Sequence, residues 1–157
     1  MTTHETLNPA FASELHRHLY ETVGVLELCD RSFVNRREVT VAQGHTLLAL
    51  PARGAMSMNE LSTAMNLAGS TMTRVVDQLV YKGLAGRAPD EEDRRIVRVT
   101  LTERGREVRG EVETDFLTVF AQVAAQIDEK DWQPFVRVLH AVTRTLTAQC
   151  CCRPGAE

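Results

Sequence analysis

Residues 87–105 constrain the fold of this chain more strongly than any other stretch. Residues 96–101 are rich in β-formers, and polar and apolar residues alternate over residues 98–101, which is typical of a short β-strand with one buried face. A partner strand is predicted at residues 84–88, so that the two strands form a hairpin whose charged, arginine-rich tip spans residues 89–94. A capped helix follows directly from Thr102. The chain must therefore accommodate a small charged hairpin next to helices.

Four helices are predicted before the hairpin. The first covers residues 10–34, where apolar residues recur every three or four positions along one face. The other three are bounded by capping residues and by helix breakers. The second helix is predicted between Thr40 and Pro51, and the fourth between Ser70 and Gly83. The third is predicted to start at a capping box formed by Ser57 and Glu60.

Two further helices are predicted after the hairpin, one from Thr102 and one after Asp128. The resulting order is ααααββαα, a mainly α fold with a small β-hairpin wing. A helix of groove-reading type followed at once by a basic hairpin is typical of a winged helix-turn-helix DNA-binding domain. We expect a single domain over residues 1–157, with a winged core at about 41–101, dimerisation helices at about 10–35 and 102–149, and a flexible tail at 150–157.

The long flanking helices predict self-association. Their apolar faces have no sheet to cover, and the winged core of one chain is too small to bury them all. Pairing with a second copy is the economical solution. A homodimer also suits palindromic DNA, since its two reading helices would lie about one helical turn apart or slightly more.

The charge of the chain is unevenly distributed. The net charge is −3, but residues 70–109 carry nine Lys/Arg and seven Asp/Glu, a local charge of +2 that leaves −5 elsewhere. Such asymmetry matters more than the total for binding phosphates. No apolar run approaches the roughly 18 residues of a membrane span, and the N-terminus has no basic, apolar start. We therefore expect a cytoplasmic protein that does not contact membranes.

Five segments of the predicted supporting helix, reading helix and wing form one combined pattern. They are Ser57-Met58-Asn59-Glu60-Leu61, Ser70-Thr71-Met72-Thr73-Arg74-Val75-Val76-Asp77-Gln78-Leu79, Lys82-Gly83-Leu84, Asp93-Arg94-Arg95 and Leu101-Thr102-Glu103-Arg104-Gly105. With these segments the chain resembles the multiple-antibiotic-resistance regulator (MarR) family of bacterial repressors. The resemblance extends over nearly the whole chain, and it implies a homodimer on a pseudo-palindromic operator. It also implies that a small molecule, an oxidant or a metal acting near the junction of dimer and DNA domains releases the protein.

Arg74 is the predicted reader of a base edge. An arginine in the first turns of a reading helix can make a bidentate contact with guanine, although Arg74 could instead pair with Asp77 or bind a phosphate. Its neighbours on the same helix could reach phosphates or base edges. The predicted contacts of this helix are Ser70, Thr71, Thr73, Arg74 and Gln78.

The wing is predicted to contribute arginines as well. Arg94 is the expected minor-groove contact, and Asp93 is expected to hold Arg95 through an ion pair so that Arg94 points outward. Arg98 and Arg87 could touch the DNA backbone or be outward strand residues. On the supporting helix, Ser57 and Asn59 could bind phosphates, and a capping role for them is an equal alternative.

The cysteines suggest an effector. Cys29 lies in the first helix and Cys150, Cys151 and Cys152 lie at the end of the last, so the thiols could meet in the dimer layer. Thiolates suit a thiophilic metal or metalloid ion, and they could also form a redox-sensitive disulfide. The alternatives are incidental thiols, or an organic ligand in an apolar pocket at the dimer junction.

A repressor released by an effector is therefore the favoured function. An enzyme is disfavoured, because the sequence has no phosphate-binding glycine loop, zinc-protease motif or nucleophile elbow. A protein-binding winged helix remains as an alternative, which Arg74, Arg94 and Arg95 argue against.

Overall fold

The computed structural model describes residues 8–151, and for Cys150 and Cys151 it describes the backbone alone. It confirms a mainly helical fold with a small antiparallel sheet. The elements in chain order are α1 (Pro9–Asn35), α2 (Val41–Ala49), β1 (Met56–Ser57), α3 (Met58–Met65), α4 (Gly69–Tyr81), β2 (Ala85–Pro89), β3 (Val97–Leu101), α5 (Glu103–Ala124) and α6 (Glu129–Cys151).

The helix starts follow from local hydrogen bonds. Thr40 and Gln43 form a reciprocal capping box at α2, and Ser57 and Glu60 form another at α3. The Thr102 hydroxyl accepts the Gly105 backbone N–H at 3.0 Å and so caps α5. The capping box predicted for α3 is therefore present, and each predicted helix start lies within one residue of the observed one.

The sheet contains one more strand than the sequence predicted. Strand β3 lies in the centre, with β2 and β1 antiparallel on either side. In the register, Arg87 lies opposite Val99, and Met56 lies opposite Val99 on the other edge. Strand β1 is only two residues long and runs directly into α3, so its sequence shows no alternation that could reveal it.

The core lies between α2, α3, α4 and the sheet, with the end of α1 and the first half of α5 closing it. Its members are apolar side chains that the surrounding helices and β3 direct inward at their respective periods. The fully buried ones are Val34, Leu47, Leu50, Leu61, Met72, Val76, Leu79, Val99 and Val112. This packing fixes the positions of α4 and of the wing.

The chain divides within α5 into two compact units, one ending at Asp115 and the other beginning at Phe116. The second unit contains the end of α5, a turn and α6, and the Trp132 indole N–H donates to the Ile127 carbonyl at 3.0 Å. Helix α6 includes Cys150 and Cys151, so the first two residues of the predicted tail are helical. Residues 152–157, the remainder of that tail, lie outside the described residues. Within residues 8–151, no helix is long and apolar enough to cross a membrane.

Candidate nucleic-acid interface

Helix α4 is amphipathic and presents its polar face to solvent. Met72, Val76 and Leu79 are buried on the core side. The predicted contact residues all lie on the opposite, exposed surface, and they are Ser70, Thr71, Thr73, Arg74 and Gln78. The core contacts thus hold α4 with a polar surface free for a partner.

Arg74 is exposed, and its side chain has no hydrogen bond or ion pair with any residue between 8 and 151. The alternative in which Arg74 pairs with Asp77 is not what the structure shows, because Asp77 instead pairs with Arg87. The guanidinium of Arg74 therefore keeps all its donors for an external acceptor.

The beginning of α4 is open as well. The N-cap residue Ala68 offers no side-chain hydrogen bond, in contrast to Thr40 and Ser57 at α2 and α3. The first backbone N–H groups of α4 are thus not capped by a side chain. Open N–H groups at the positive end of a helix dipole are suited to a phosphate.

The turn of the wing is stabilised by a different carboxylate from the one predicted. Asp90 accepts the backbone N–H groups of Glu92 and Asp93, both at 3.0 Å. The carboxylate of Asp93 accepts the backbone N–H of Arg95 at 3.0 Å, and no Asp93–Arg95 ion pair occurs among the described residues. The predicted ion pair is therefore corrected to a local hydrogen bond with the backbone, which is the usual partner of an aspartate in a tight turn.

Arg94 and Arg95 are the exposed cations of the wing tip. Neither side chain has a hydrogen bond or ion pair within the described part of the chain. Because Asp93 is engaged with the backbone, both guanidinium groups are available to DNA. The exposed acidic neighbours Glu91 and Glu92 limit the positive charge of this turn.

Arg98 serves the structure of the wing base. Its Nε donates to the Asp90 carboxylate at 2.5 Å, and its Nη1 donates to Glu60 at 3.2 Å. The N–H of Asp93, the Arg98 guanidinium and the N–H of Glu92 together lower the pKa of Asp90 to about 2. The predicted DNA contact Arg98 is thus engaged within the protein, where it joins the wing to α3.

Arg87 is a further engaged arginine, and it lies on β2. Its Nη1 pairs with the carboxylate of Asp77, and its Nη2 donates to the backbone carbonyl of Thr73 at 3.2 Å. Sequence reasoning left the role of Arg87 open. No spacing rule links residues ten apart on a helix and a strand, so only the folded structure reveals this contact.

The supporting helix α3 gives two different results. The Ser57 hydroxyl accepts the Glu60 N–H at 3.2 Å, so its capping role is present. The side chain of Asn59 is exposed in the first turn and has no partner within residues 8–151. Of the two residues, Asn59 is the freer to meet a phosphate.

Of the predicted sensing residues, the structure describes the surroundings of one. Cys29 is a half-buried free thiol on α1. The side chains of Cys150 and Cys151, and the whole of Cys152, lie outside the described residues. Within the described part, no group of three His, Cys, Asp or Glu side chains is placed to hold a metal ion.

Comparison with known proteins agrees with this architecture. The model of the MarR family matches residues 39–97. The helix-turn-helix-type transcriptional regulator YsmB of Bacillus subtilis is 31% identical over 102 residues, which are 65% of this chain and 70% of YsmB. A MarR family protein from Bacillus stearothermophilus has a TM-score of 0.78 at 28% identity, over 90% of this chain and 99% of that one. A mutant of S. aureus MepR, in a structure bound to an oligodeoxyribonucleotide, shares the fold at a TM-score of 0.58 and 20% identity, over 83% of this chain and 97% of that one. The chain belongs to the MarR family of helix-turn-helix transcriptional regulators.

Proposed function

We propose that this regulator binds duplex DNA sequence-specifically, through α4 and the wing. The observation that carries the proposal is the contrast among its arginines. Arg74, Arg94 and Arg95 are exposed without internal partners, whereas Arg87 and Arg98 at the base of the wing are engaged. Free guanidinium groups on a helix and an adjacent hairpin suit base edges and phosphates.

The proposed regulator is a homodimer on a pseudo-palindromic operator. Two helices support this, because each exposes large apolar side chains that a soluble monomer would leave in water. On α1 these include Phe11, Tyr20 and Leu28, and on α6 they include Trp132, Phe135, Leu139 and Leu146. Burial of the same faces on two chains gives a self-complementary interface, and its two-fold axis matches that of a palindrome.

Its proposed action is repression that an effector relieves. The first candidate effector is a thiol-reactive metal, metalloid or oxidant acting on Cys29 or on the cysteines at positions 150–152. The second is an organic ligand, which is favoured by an apolar groove of about 260 Å³ in the second unit. Phe120, Val123, Trp132 and Phe135 are among the residues that line this groove.

DNA binding is tested first by selecting duplexes from a random pool with the full chain. The selected sequence is expected to contain an inverted repeat, and affinity for it should fall steeply with salt. Arg74→Ala is expected to weaken binding to this operator by roughly 5- to 150-fold, corresponding to one bidentate base contact. Arg106→Ala, which removes an arginine paired with Glu103 at the start of α5, is the matched control. Absence of any selected sequence, or equal loss in both variants, would contradict the proposal.

The effector is tested on the same operator complex. Peroxide, arsenite and Zn²⁺ are added separately to wild type, to Cys29→Ser and to the triple variant Cys150/Cys151/Cys152→Ser. Release of wild type that one cysteine variant resists would support thiol sensing and identify the thiols. If all three proteins behave alike, thiol sensing is wrong and the apolar groove becomes the candidate site.

A further inference from the structure

The contact of Arg87 with α4 joins the wing to the reading helix. Arg87 donates to the Asp77 carboxylate and to the Thr73 carbonyl, which lie one helical turn apart on α4. The side chain of Arg87 is only 27% exposed, whereas that of Asp77 is 54% exposed. One guanidinium therefore spans a full turn of the surface that carries Arg74.

The same contact changes the charge of that surface. Asp77 is the acidic residue in the sequence of α4. Without a partner, its carboxylate would repel the phosphates that border a DNA groove. Its pairing with Arg87 neutralises this charge and also occupies the charge of Arg87. Neither residue then offers a free charge to DNA.

We propose that Arg87 is a positioning residue for sequence readout, acting through Asp77 and Thr73. The inference rests on the proposed DNA binding. Readout of a base requires a side chain to be held at one place, whereas neutralisation of phosphates tolerates movement. By fixing α4 against β2, Arg87 sets the position of Arg74 relative to the wing arginine Arg94. Specific binding depends on this fixed arrangement, and non-specific binding does not.

This role differs measurably from a phosphate contact. A lysine or arginine that binds a phosphate weakens all sequences alike when it is removed, and the salt slope falls by about one. A positioning residue instead lowers the ratio of operator affinity to random-DNA affinity and leaves the salt slope unchanged. Removal of Asp77 separates the two roles further, because it leaves Arg87 in place without its carboxylate partner.

The experiment measures dissociation constants at several salt concentrations, for the operator selected by wild type and for a random duplex. The variants are Arg87→Ala, Asp77→Ala, the double variant and Arg87→Lys. The control for losing a paired arginine is again Arg106→Ala, since Arg106 likewise contacts a carboxylate and a backbone carbonyl. Circular dichroism confirms that each variant is folded. We expect Arg87→Ala and the double variant each to lower the operator-to-random ratio about tenfold. The double variant, which leaves no unpaired Asp77 carboxylate, should keep the wild-type salt slope.

The other variants complete the test. Asp77→Ala should lower the ratio to a similar extent, and the double variant should be no worse than either single one, since both remove one contact. Arg87→Lys, which can still pair with Asp77, should recover part of the ratio.

Uniform weakening with a salt slope lower by about one, or additive losses in the double variant, would overturn the positioning role. If wild type selects an operator and all variants keep its ratio, the positioning role alone fails. If wild type selects no sequence, the proposed DNA readout fails and the positioning role falls with it.

Discussion

At the residue scale, the sequence predicted which side chains are exposed, but it did not predict their hydrogen-bond and ion-pair partners. Helical periodicity alone placed Arg74 on the solvent side of α4 and Met72 in the core. The partner of Asp77 depends on how β2 packs beside α4, and the role of Asp93 depends on the turn that Asp90 organises. Such contacts depend on how elements pack and how turns are formed, and the spacing of residues in the sequence does not predict them.

Gly105 provides a prediction at this scale. A Cβ on Gly105 would lie 1.9 Å from the backbone carbonyl oxygen of Leu84, whereas a Cβ on Gly110 of the same helix would meet nothing within 4 Å. We expect Gly105→Ala to destabilise the protein by about 1–3 kcal/mol or more, because backbone must move. Gly110→Ala should stabilise it by up to about 1 kcal/mol through helix propensity. Denaturant unfolding of both variants measures this, and equal effects would contradict the close approach at Gly105.

At the element scale, the capped helices and the two longer strands could be predicted, and β1 could not. The starts of α2 and α3 depend on side chains three residues apart, which a sequence displays directly. The pairing of Met56 with Val99 is a long-range contact of a two-residue strand. Its position on the sheet is set by the core that α3 and β3 share.

The base of the wing is an element whose stability should depend on pH. The backbone N–H of Asp93, the Arg98 guanidinium and the backbone N–H of Glu92 lower the pKa of Asp90 from 3.8 to about 2. A pKa that folding lowers contributes stability above the unfolded value, and this contribution is lost as pH falls through the folded value. The ionised form of Asp90 therefore stabilises the fold at neutral pH, and this contribution fades between about pH 4 and pH 2.

Asp90→Asn tests this linkage. The variant should be less stable than wild type at pH 7, and the difference should shrink as the pH is lowered from about 4 towards 2. Denaturant unfolding at a series of pH values measures the difference directly. Glu91→Gln is the matched control, because Glu91 is exposed and has no hydrogen bond or ion pair within the described residues. A constant difference between wild type and Asp90→Asn across this range would show that the charge of Asp90 is not the cause.

At the scale of the whole molecule, the sequence predicted more apolar surface than one chain can bury, and the described residues expose it on α1 and α6. The core is confined to side chains between Val34 and Val112, because only the winged part has elements on several sides of an apolar centre. Helix α6 instead carries a single apolar stripe, with Phe135, Leu139 and Leu146 at helical spacing. A second chain supplies the covering surface in the proposed dimer.

The dimer is tested by placing a charge on each side of α6. Leu139→Glu puts a carboxylate in the apolar stripe, and Ala148→Glu puts the same group on the opposite, exposed face nine residues further on. An unpaired charge buried in an interface costs roughly 3–5 kcal/mol, so Leu139→Glu should weaken dimerisation by at least about 100-fold. Ala148→Glu should remain a dimer.

Sedimentation velocity over a concentration series measures the association. Operator affinity should fall with Leu139→Glu alone, because the two half-sites of the operator are then bound by separate chains. A monomeric wild type, or equal dissociation of both variants, would refute an interface on this stripe.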